Sequence, residues 1–358
     1  MEILAADEDL QVQRLLFQYD LYPYQFMKQG NIIKVETAIG MFALKQKSIT
    51  RNEIEHLKTA YNLARNLAVD ALCPLPTKYG DLVIQGNGEI GYYLLPWFEQ
   101  TVPESDLLQR YARLFLKTAQ MHHQTLDGED NPASLYQSMI QLLSGRQSVW
   151  ETFVLAAEHH TYPSPFEQLV LSSAGGYLSN IQRALSYFQE ALKVDEESEK
   201  PKENEKKRSL RRALCHGRLN PLHLVIEDEK CFLINFENCS FGFFIIEAAS
   251  LFEQASTVLA GSLVPWKEWI RVYLEACPLI EDETAFLFHF LSCSRTSVDL
   301  LENYQKESEK NELWFTKRWI AIQETQAAMM AAFQNYFASK EKEESPNAEK
   351  ENVAKTES

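Results

Sequence analysis

Apolar and polar positions alternate with a period of two between residues 24 and 46. After a helical pattern over Asp9–Tyr19, three short runs follow at Tyr24–Gln29, Ile32–Thr37 and Met41–Gln46, and Gly-Asn and Ile-Gly turns separate them. This alternation is typical of half-buried strands, and turns this short join antiparallel neighbours. The pattern therefore predicts an N-terminal helix followed by an antiparallel sheet.

The period then changes to that of a helix. Thr50 with Glu53 three residues later has the spacing of a capping box. A hairpin is predicted from Asp81–Gln85 and Tyr92–Leu95, and from Pro103 onward the pattern is almost entirely helical. The later predicted helices are Ser134–Leu143, Ser148–His160, Pro165–Leu192 with a break at Gly175-Gly176, Pro265–Ala276, Asp282–Cys293 and Leu313–Phe337.

These patterns predict three regions. Residues 1–98 form an N-terminal lobe, residues 99–338 form a helical C-terminal lobe with a mobile charged insertion at 194–209, and residues 339–358 form a disordered tail. The insertion and the tail are predicted from composition, because charged, apolar-poor segments cannot bury enough surface to offset their ordering entropy.

Composition and charge limit the classes of partner. The chain has 358 residues, of which 45% are hydrophobic, and a formal net charge of -15. Such a charge disfavours nucleic acid, which is bound by clustered Lys and Arg. We also expect no membrane partner, since no apolar run approaches the length of a span. The six cysteines have no paired metal-site spacing, and this predicts reduced thiols and no metal site.

The candidate chemistry lies in the stretch Leu214–Cys239, which reads LCHGRLNPLHLVIEDEKCFLINFENC. It resembles the catalytic loop of the aminoglycoside phosphotransferase and choline kinase group, where His-Gly-Asp-x-x-x-x-Asn is followed by an Ile-Asp-Phe or Ile-Asp-Trp motif. The resemblance implies an α+β, two-lobed protein kinase-like (aminoglycoside phosphotransferase-like) fold, with a small antiparallel-sheet N-lobe and a mostly helical C-lobe.

The positions that would carry the chemistry are altered. His216 matches the loop histidine of the family, but Arg218 stands at the general-base Asp, His223 at the metal-binding Asn and Asn235 at the magnesium-binding Asp. A guanidinium remains protonated and cannot accept a proton. Loss of a general base costs roughly 10²- to 10⁴-fold in rate. No intact catalytic residue and no metal site are therefore expected.

A vestigial nucleotide site is the second expectation from the resemblance. Lys45, in the strand MFALKQ, matches the phosphate-contacting lysine, and Glu53 on the next helix matches its ion-pair partner, with Glu55 as a rival. Glu237 is the carboxylate that remains near the metal positions. We expect no required cofactor, although weak binding of ATP with magnesium stays open.

A narrower resemblance points to a biological setting. The segments YDLYP, PTKYGDLVI, PWFEQ and HGRLNPLH are similar to those of spore coat-associated proteins of Bacillus, of the YutH and CotS type. That family implies a catalytically impaired kinase-like protein, made in the mother cell cytoplasm and built into the endospore coat with other coat proteins. A small-molecule substrate is not expected on this interpretation.

Two enzymatic alternatives remain open. One is an active small-molecule phosphotransferase that uses ATP, Glu237 and an unconventional base. The other is a metal-dependent hydrolase built from His216, His223 and Glu237, since two histidines on one loop can reach a single ion.

Overall fold

The computed structural model describes residues 6–86, 88–196 and 208–356. The helices are α1 Ala6–Phe17, α2 Arg51–Asn66, α3 Leu107–Gln124, α4 Ala133–Glu158, α5 Pro165–Glu196, α6 Phe244–Val258, α7 Trp266–Ala276, α8 Glu281–Leu291, α9 Arg295–Lys306 and α10 Glu312–Thr356. The strands are β1 Pro23–Gln29, β2 Ile32–Thr37, β3 Gly40–Ser48, β4 Ile84–Gln85, β5 Ile90–Pro96, β6 Glu129–Asp130, β7 Leu210–Cys215, β8 Leu224–Glu227, β9 Lys230–Leu233 and β10 Ser240–Phe243. Pro221–His223 and Phe236–Asn238 are short 3₁₀ helices.

The chain divides into two compact units. The sheet unit consists of Met1–Thr125 and Leu214–Phe241, and the helical unit consists of Leu126–Ala213 and Gly242–Ser358. The loop singled out in the sequence therefore belongs to the same unit as the N-terminal sheet.

The sheet unit is built on five strands in the order β1-β2-β3-β5-β4, and the paired strands are antiparallel. Along β2 the buried positions alternate, as the sequence pattern predicted. The buried face packs against α1, and the shared core consists of Val12, Leu15, Leu16, Leu21, Ile33, Val35, Leu44, Ile84, Tyr92 and Leu94. The three predicted N-terminal strands and the preceding helix are thus confirmed.

Helix α2 begins where the capping box predicted. The Thr50 hydroxyl accepts from the Glu53 backbone N–H, and the Glu53 carboxylate accepts from the Thr50 backbone N–H at 2.7 Å. These reciprocal bonds satisfy backbone donors that a helix N-terminus otherwise leaves unpaired. One face of α2 is buried through Ile54, Leu57, Ala60, Tyr61 and Ala64.

The helical unit has a core rich in aromatic residues. The rings of Trp150 on α4 and Tyr177 on α5 stack at 4.3 Å between centroids, and Trp319 on α10 lies 5.7 Å from Trp150. Arg211 and the fully buried Glu283 form an ion pair at 2.6 Å. Large aromatic burial of this kind accounts for long helices that the local sequence favours only weakly.

Several boundaries differ from the sequence prediction. Helix α4 is continuous where two helices were expected, and α5 passes through Gly175-Gly176 without a break. Each glycine costs about 1 kcal/mol in a helix interior, and the buried faces on either side of the pair outweigh that cost. Helix α9 was not predicted at all.

The C-terminal helix also departs from the prediction. Helix α10 continues to Thr356, through most of the stretch 339–358 that was predicted to be a disordered tail. Glu, Lys and Ala are frequent there, and all three favour helices. Of the predicted insertion 194–209, residues 197–207 lie outside the described part of the chain.

A separate finding concerns membranes. None of the helices in the described residues combines the length and the apolar character that crossing a bilayer requires.

Candidate functional site

The loop that begins at His216 is fixed by close backbone packing. Gly217 has φ +78°, and a Cβ at this position would overlap the backbone carbonyl of Asn238. Only glycine adopts this backbone region freely and leaves room for so close an approach. The loop and the 3₁₀ helix at Phe236–Asn238 are therefore in direct contact.

His216 supports the loop and has no free nitrogen for chemistry. Its side chain is fully buried, Nε2–H donates to the Ile234 carbonyl at 2.8 Å, and Nδ1 accepts from the Arg218 backbone N–H at 3.3 Å. This pattern requires a neutral ring protonated at Nε2. The histidine predicted at the head of the catalytic loop thus joins the loop to the strand that precedes Asn235.

A second residue that supports the loop, Arg110, was not predicted from the sequence. Arg110 on α3 is 1% exposed, and its guanidinium donates to the carbonyls of Pro221 at 2.8 Å, Val102 at 3.0 Å and Leu224 at 2.7 Å. A longer contact of 3.5 Å reaches Oε1 of Gln100. The spacing of residues along the chain gave no signal for Arg110, because its three shorter hydrogen bonds go to backbone atoms. Arg110 holds the far end of the loop as His216 holds its start.

His223, at the position of the family's asparagine, is neutral. Its Nδ1–H donates to the Arg218 carbonyl at 2.8 Å. Burial, followed by the proximity of His216, lowers the pKa of His223 below 6.5. The unprotonated Nε2 is therefore the ring atom of His223 that can accept a proton or a hydrogen bond.

Strand pairing brings Lys45, Lys47 and Tyr93 to one face of the sheet. Lys45 pairs with Tyr93 in the β3–β5 register, and Lys47 lies two residues further along β3, where side chains return to the same face. The Lys45 ammonium lies 5.5 Å from the centre of the Tyr93 ring.

Glu237 gathers these three side chains. Its Oε1 lies 3.5 Å from Lys45 Nζ, 3.2 Å from Lys47 Nζ and 3.1 Å from the Tyr93 hydroxyl that donates to it. Lys45 also donates to Oδ1 of Asn235 in a short hydrogen bond. Asn235 has φ +68°, a left-handed conformation that asparagine tolerates better than most residues.

The carboxylate of Glu237 and the ammonium groups of Lys45 and Lys47 affect each other's ionisation. Burial is the largest influence on Glu237 and opposes its ionisation, but the two lysines outweigh it, and the pKa of Glu237 is lowered from 4.5. Burial lowers the pKa of Lys45 from 10.5, while Glu237 raises it in part. An ionised carboxylate between two ammonium groups is the consistent state near neutral pH.

The structure does not bring every predicted residue to the cluster. Glu53 caps α2, and Glu55 pairs with Lys58 at 3.1 Å on the surface. Arg218 is exposed, and its side chain makes no ion pair within the described residues, so it is not paired with Glu237. Glu237 instead occupies the role expected of Glu53, as the partner of Lys45.

Magnesium and ATP are implied by proteins that this loop resembles, and the side chains here do not fit the metal. Mg²⁺ requires oxygen ligands in near-octahedral geometry. The Asn235 oxygen accepts from Lys45, one oxygen of Glu237 is shared by three donors, and His223 and Arg218 offer nitrogen. Mg²⁺ could bind Oδ1 of Asn235 or Oε1 of Glu237 only if an ammonium group released that oxygen, and Oε2 of Glu237 alone does not supply its ligand set.

The hydrolase alternative is not supported by the geometry. Among the described residues, the potential ligand atoms of His216, His223 and Glu237 do not gather within 4.8 Å of one another. Both nitrogens of His216 are, in addition, bonded to backbone groups.

Solved structures with a similar fold were found for this chain, but no similar family model or curated sequence was found. No family model matches the chain, and no curated protein matches it. The solved structure of an aminoglycoside phosphotransferase from Alicyclobacillus acidocaldarius is 16% identical and superposes with a TM-score of 0.65, over 94% of this chain and 97% of that one.

Two other solved structures are similar with lower scores. A spectinomycin phosphotransferase in complex with ADP and its antibiotic is 12% identical over 93% of this chain and 100% of that one, with a TM-score of 0.47. A choline kinase from Streptococcus pneumoniae is 12% identical over 90% of this chain and 100% of that one, with a TM-score of 0.42. The chain has a kinase-like, aminoglycoside phosphotransferase-like fold, with an antiparallel-sheet N-lobe and a mostly helical C-lobe.

Proposed function

We propose that this chain is a kinase-like protein that has lost phosphotransferase activity and acts by binding, as a structural or assembly component of the bacterial endospore coat. The observation that carries the loss of activity is the pair of changes at Arg218 and Asn235. A permanent cation stands where the fold's enzymes abstract a proton, and the amide at the metal position is bonded to Lys45.

The coat assignment has a different support. It rests on the similarity of YDLYP, PTKYGDLVI, PWFEQ and HGRLNPLH to coat-associated proteins of Bacillus. On this proposal the partners are other coat proteins and the site of synthesis is the mother cell cytoplasm. A net charge of -15 favours neutral or basic protein surfaces as partners.

The activity is tested by ATP consumption. Purified protein is incubated with ATP and Mg²⁺ over a panel of aminoglycosides and amino alcohols, beside Glu237→Gln. We expect both proteins to match the enzyme-free blank. ATP turnover in the wild type that Glu237→Gln abolishes would overturn the proposal.

The coat assignment is tested separately in sporulating Bacillus cells. A fluorescent fusion is followed through sporulation, and extracts of purified coats are probed for the protein. We expect a ring around the forespore and recovery in the coat fraction. A signal that stays diffuse in the mother cell and disappears on lysis would contradict the coat role without bearing on activity.

The second candidate is an active small-molecule phosphotransferase. It is favoured by His223, a neutral imidazole that lines the same cavity as Lys45 and has a free Nε2 lone pair. The solved structures with this fold are named as phosphotransferases and kinases of small molecules. Turnover that rises with pH through the deprotonation of His223, and that is lost in His223→Gln, would establish this candidate in place of the first.

A further inference from the structure

A small polar cavity lies in the sheet unit beside β3. Its volume is about 260 Å³, and all the residues that line it belong to this unit. Pockets for drug-sized ligands run from about 300 to 1,000 Å³. The space is therefore suited to a small ion or to one functional group of a larger molecule.

The lining carries an excess of positive charge. Lys45, Lys47 and Arg218 contribute cations, and Glu237 is the one acidic side chain among the lining residues. His223 is neutral because burial lowers its pKa. Compared with the motif that the loop resembles, Arg218 replaces a negative charge by a positive one and Asn235 removes another negative charge.

The two lysines are held in place by Glu237, and in the part of the chain that the structure describes Lys47 and Arg218 still have hydrogen-bond donors without acceptors. Glu237 fixes both ammonium groups through one oxygen, and this reduces the entropy lost when they bind a further group. Within the described residues, Lys47 has three N–H donors and one acceptor, Glu237, while Arg218 has five donors and no side-chain partner. The cavity is therefore lined by one ordered ammonium group, Lys47, and one guanidinium, Arg218, that both have donors left for a ligand.

We propose that this cavity binds a phosphate group without a metal ion, through Lys47 and Arg218 with Lys45 as the inner cation. The proposal rests on the loss of phosphotransferase activity argued above, and names the ligand class of the altered site. Arginine matches phosphate because its planar fork donates two parallel hydrogen bonds, and lysine supplies a compact charge.

The metal becomes unnecessary for a physical reason. In enzymes of the fold, magnesium neutralises phosphate oxygens that face acidic side chains. Here side-chain cations supply that neutralisation, and a divalent cation would be repelled by the two lysines and Arg218. The ligand is either inorganic phosphate or the terminal phosphate of a larger molecule, since the chemistry at the cavity is the same for both.

The test is isothermal titration of the full-length protein with inorganic phosphate in EDTA, repeated with Mg²⁺ and with ATP or adenosine as titrant. Binding is expected in EDTA and is expected to weaken with added salt, because the contact is largely electrostatic. A gain with ATP over phosphate identifies a nucleotide as the source. Equal affinity for the two identifies the phosphate alone, and adenosine is expected not to bind.

Matched variants assign the site. Arg218→Gln and Lys47→Gln should each weaken binding about tenfold or more. Arg271→Gln, an exposed arginine on α7 of the helical unit, should leave it unchanged. Arg218 has no side-chain partner to lose, so its variant should keep the wild-type melting temperature, which checks that the protein is folded.

Three results would overturn the inference: no binding in EDTA, binding that requires Mg²⁺, or binding equal in all variants. Failure of the proposed function is distinguishable from these results, because it shows as ATP turnover. Turnover can be present or absent whether or not phosphate binds in EDTA.

Discussion

The substitution Arg110→Met tests whether one buried guanidinium holds the loop. It removes three hydrogen bonds, at 2.7 to 3.0 Å, to the carbonyls of Pro221 and Leu224 at the far end of the loop and of Val102 in the segment before α3. Hydrogen bonds to a charged group contribute roughly 1.5–3 kcal/mol each, a gross loss of about 5–9 kcal/mol.

Part of that loss in unfolding free energy is offset. Burying a guanidinium costs several kcal/mol, and methionine avoids this cost while filling similar volume. The carbonyls of Pro221, Val102 and Leu224 stay behind without their donor, so the change cannot be neutral. We expect a net loss of roughly 2–4 kcal/mol.

The assay is native-state hydrogen exchange at the amides of Leu224–Glu227, together with urea unfolding of the whole chain. Faster exchange in β8 should accompany the lower unfolding free energy, because local opening follows the loss of local contacts. Arg113→Met is the matched control one turn further along α3, where the arginine is 34% exposed and 3.7 Å from Glu229. Its cost should stay below about 1 kcal/mol.

Two results would refute this reasoning about Arg110. One is a cost for Arg110→Met no larger than that of the control. The other is a large cost with unchanged exchange in β8, since this would place the effect of Arg110 elsewhere in the unit.

Three further predictions concern the loop and the cluster. Glu237→Gln should lower the unfolding free energy by about 1–3 kcal/mol, because Lys45 and Lys47 lose their carboxylate partner. An unchanged urea midpoint would contradict a stabilising role for Glu237. Gly217→Ala should cost about 2 kcal/mol or more because its Cβ meets Asn238, whereas Gly30→Ala, with φ +59° and open space, should cost only about 1 kcal/mol; equal costs would argue against the close approach. The lowered pKa of His223 means that the unfolded chain binds the proton more readily, so stability should fall as pH drops below 6.5. His223→Asn should flatten that slope, and a slope identical to that of the wild type would exclude His223 as its cause.

Local sequence patterns predicted an element correctly where that element depends on residues close to each other in the sequence. The strands at 24–46 and the capping box at Thr50 and Glu53 depend on periodicity and on one turn of helix, and both are confirmed. The glycine pair at 175–176 shows the limit of this reasoning. Its local cost is real, but buried contacts from distant elements keep α5 continuous.

The sequence by itself predicted an antiparallel sheet followed by helices, because strand period and helix period are properties of the chain, and the resemblance of its loop to a known family's loop implied the kinase-like fold class and identified the changed residue types. Only the tertiary structure decided which side chains meet. Lys45 and Glu237 are separated by 192 positions, and Arg110 binds backbone carbonyls that carry no side-chain signature. Glu53 matched the motif yet serves its own helix, since a cap three residues away was its nearer partner. Pairing across such distances depends on strand register and loop packing, which no local pattern encodes.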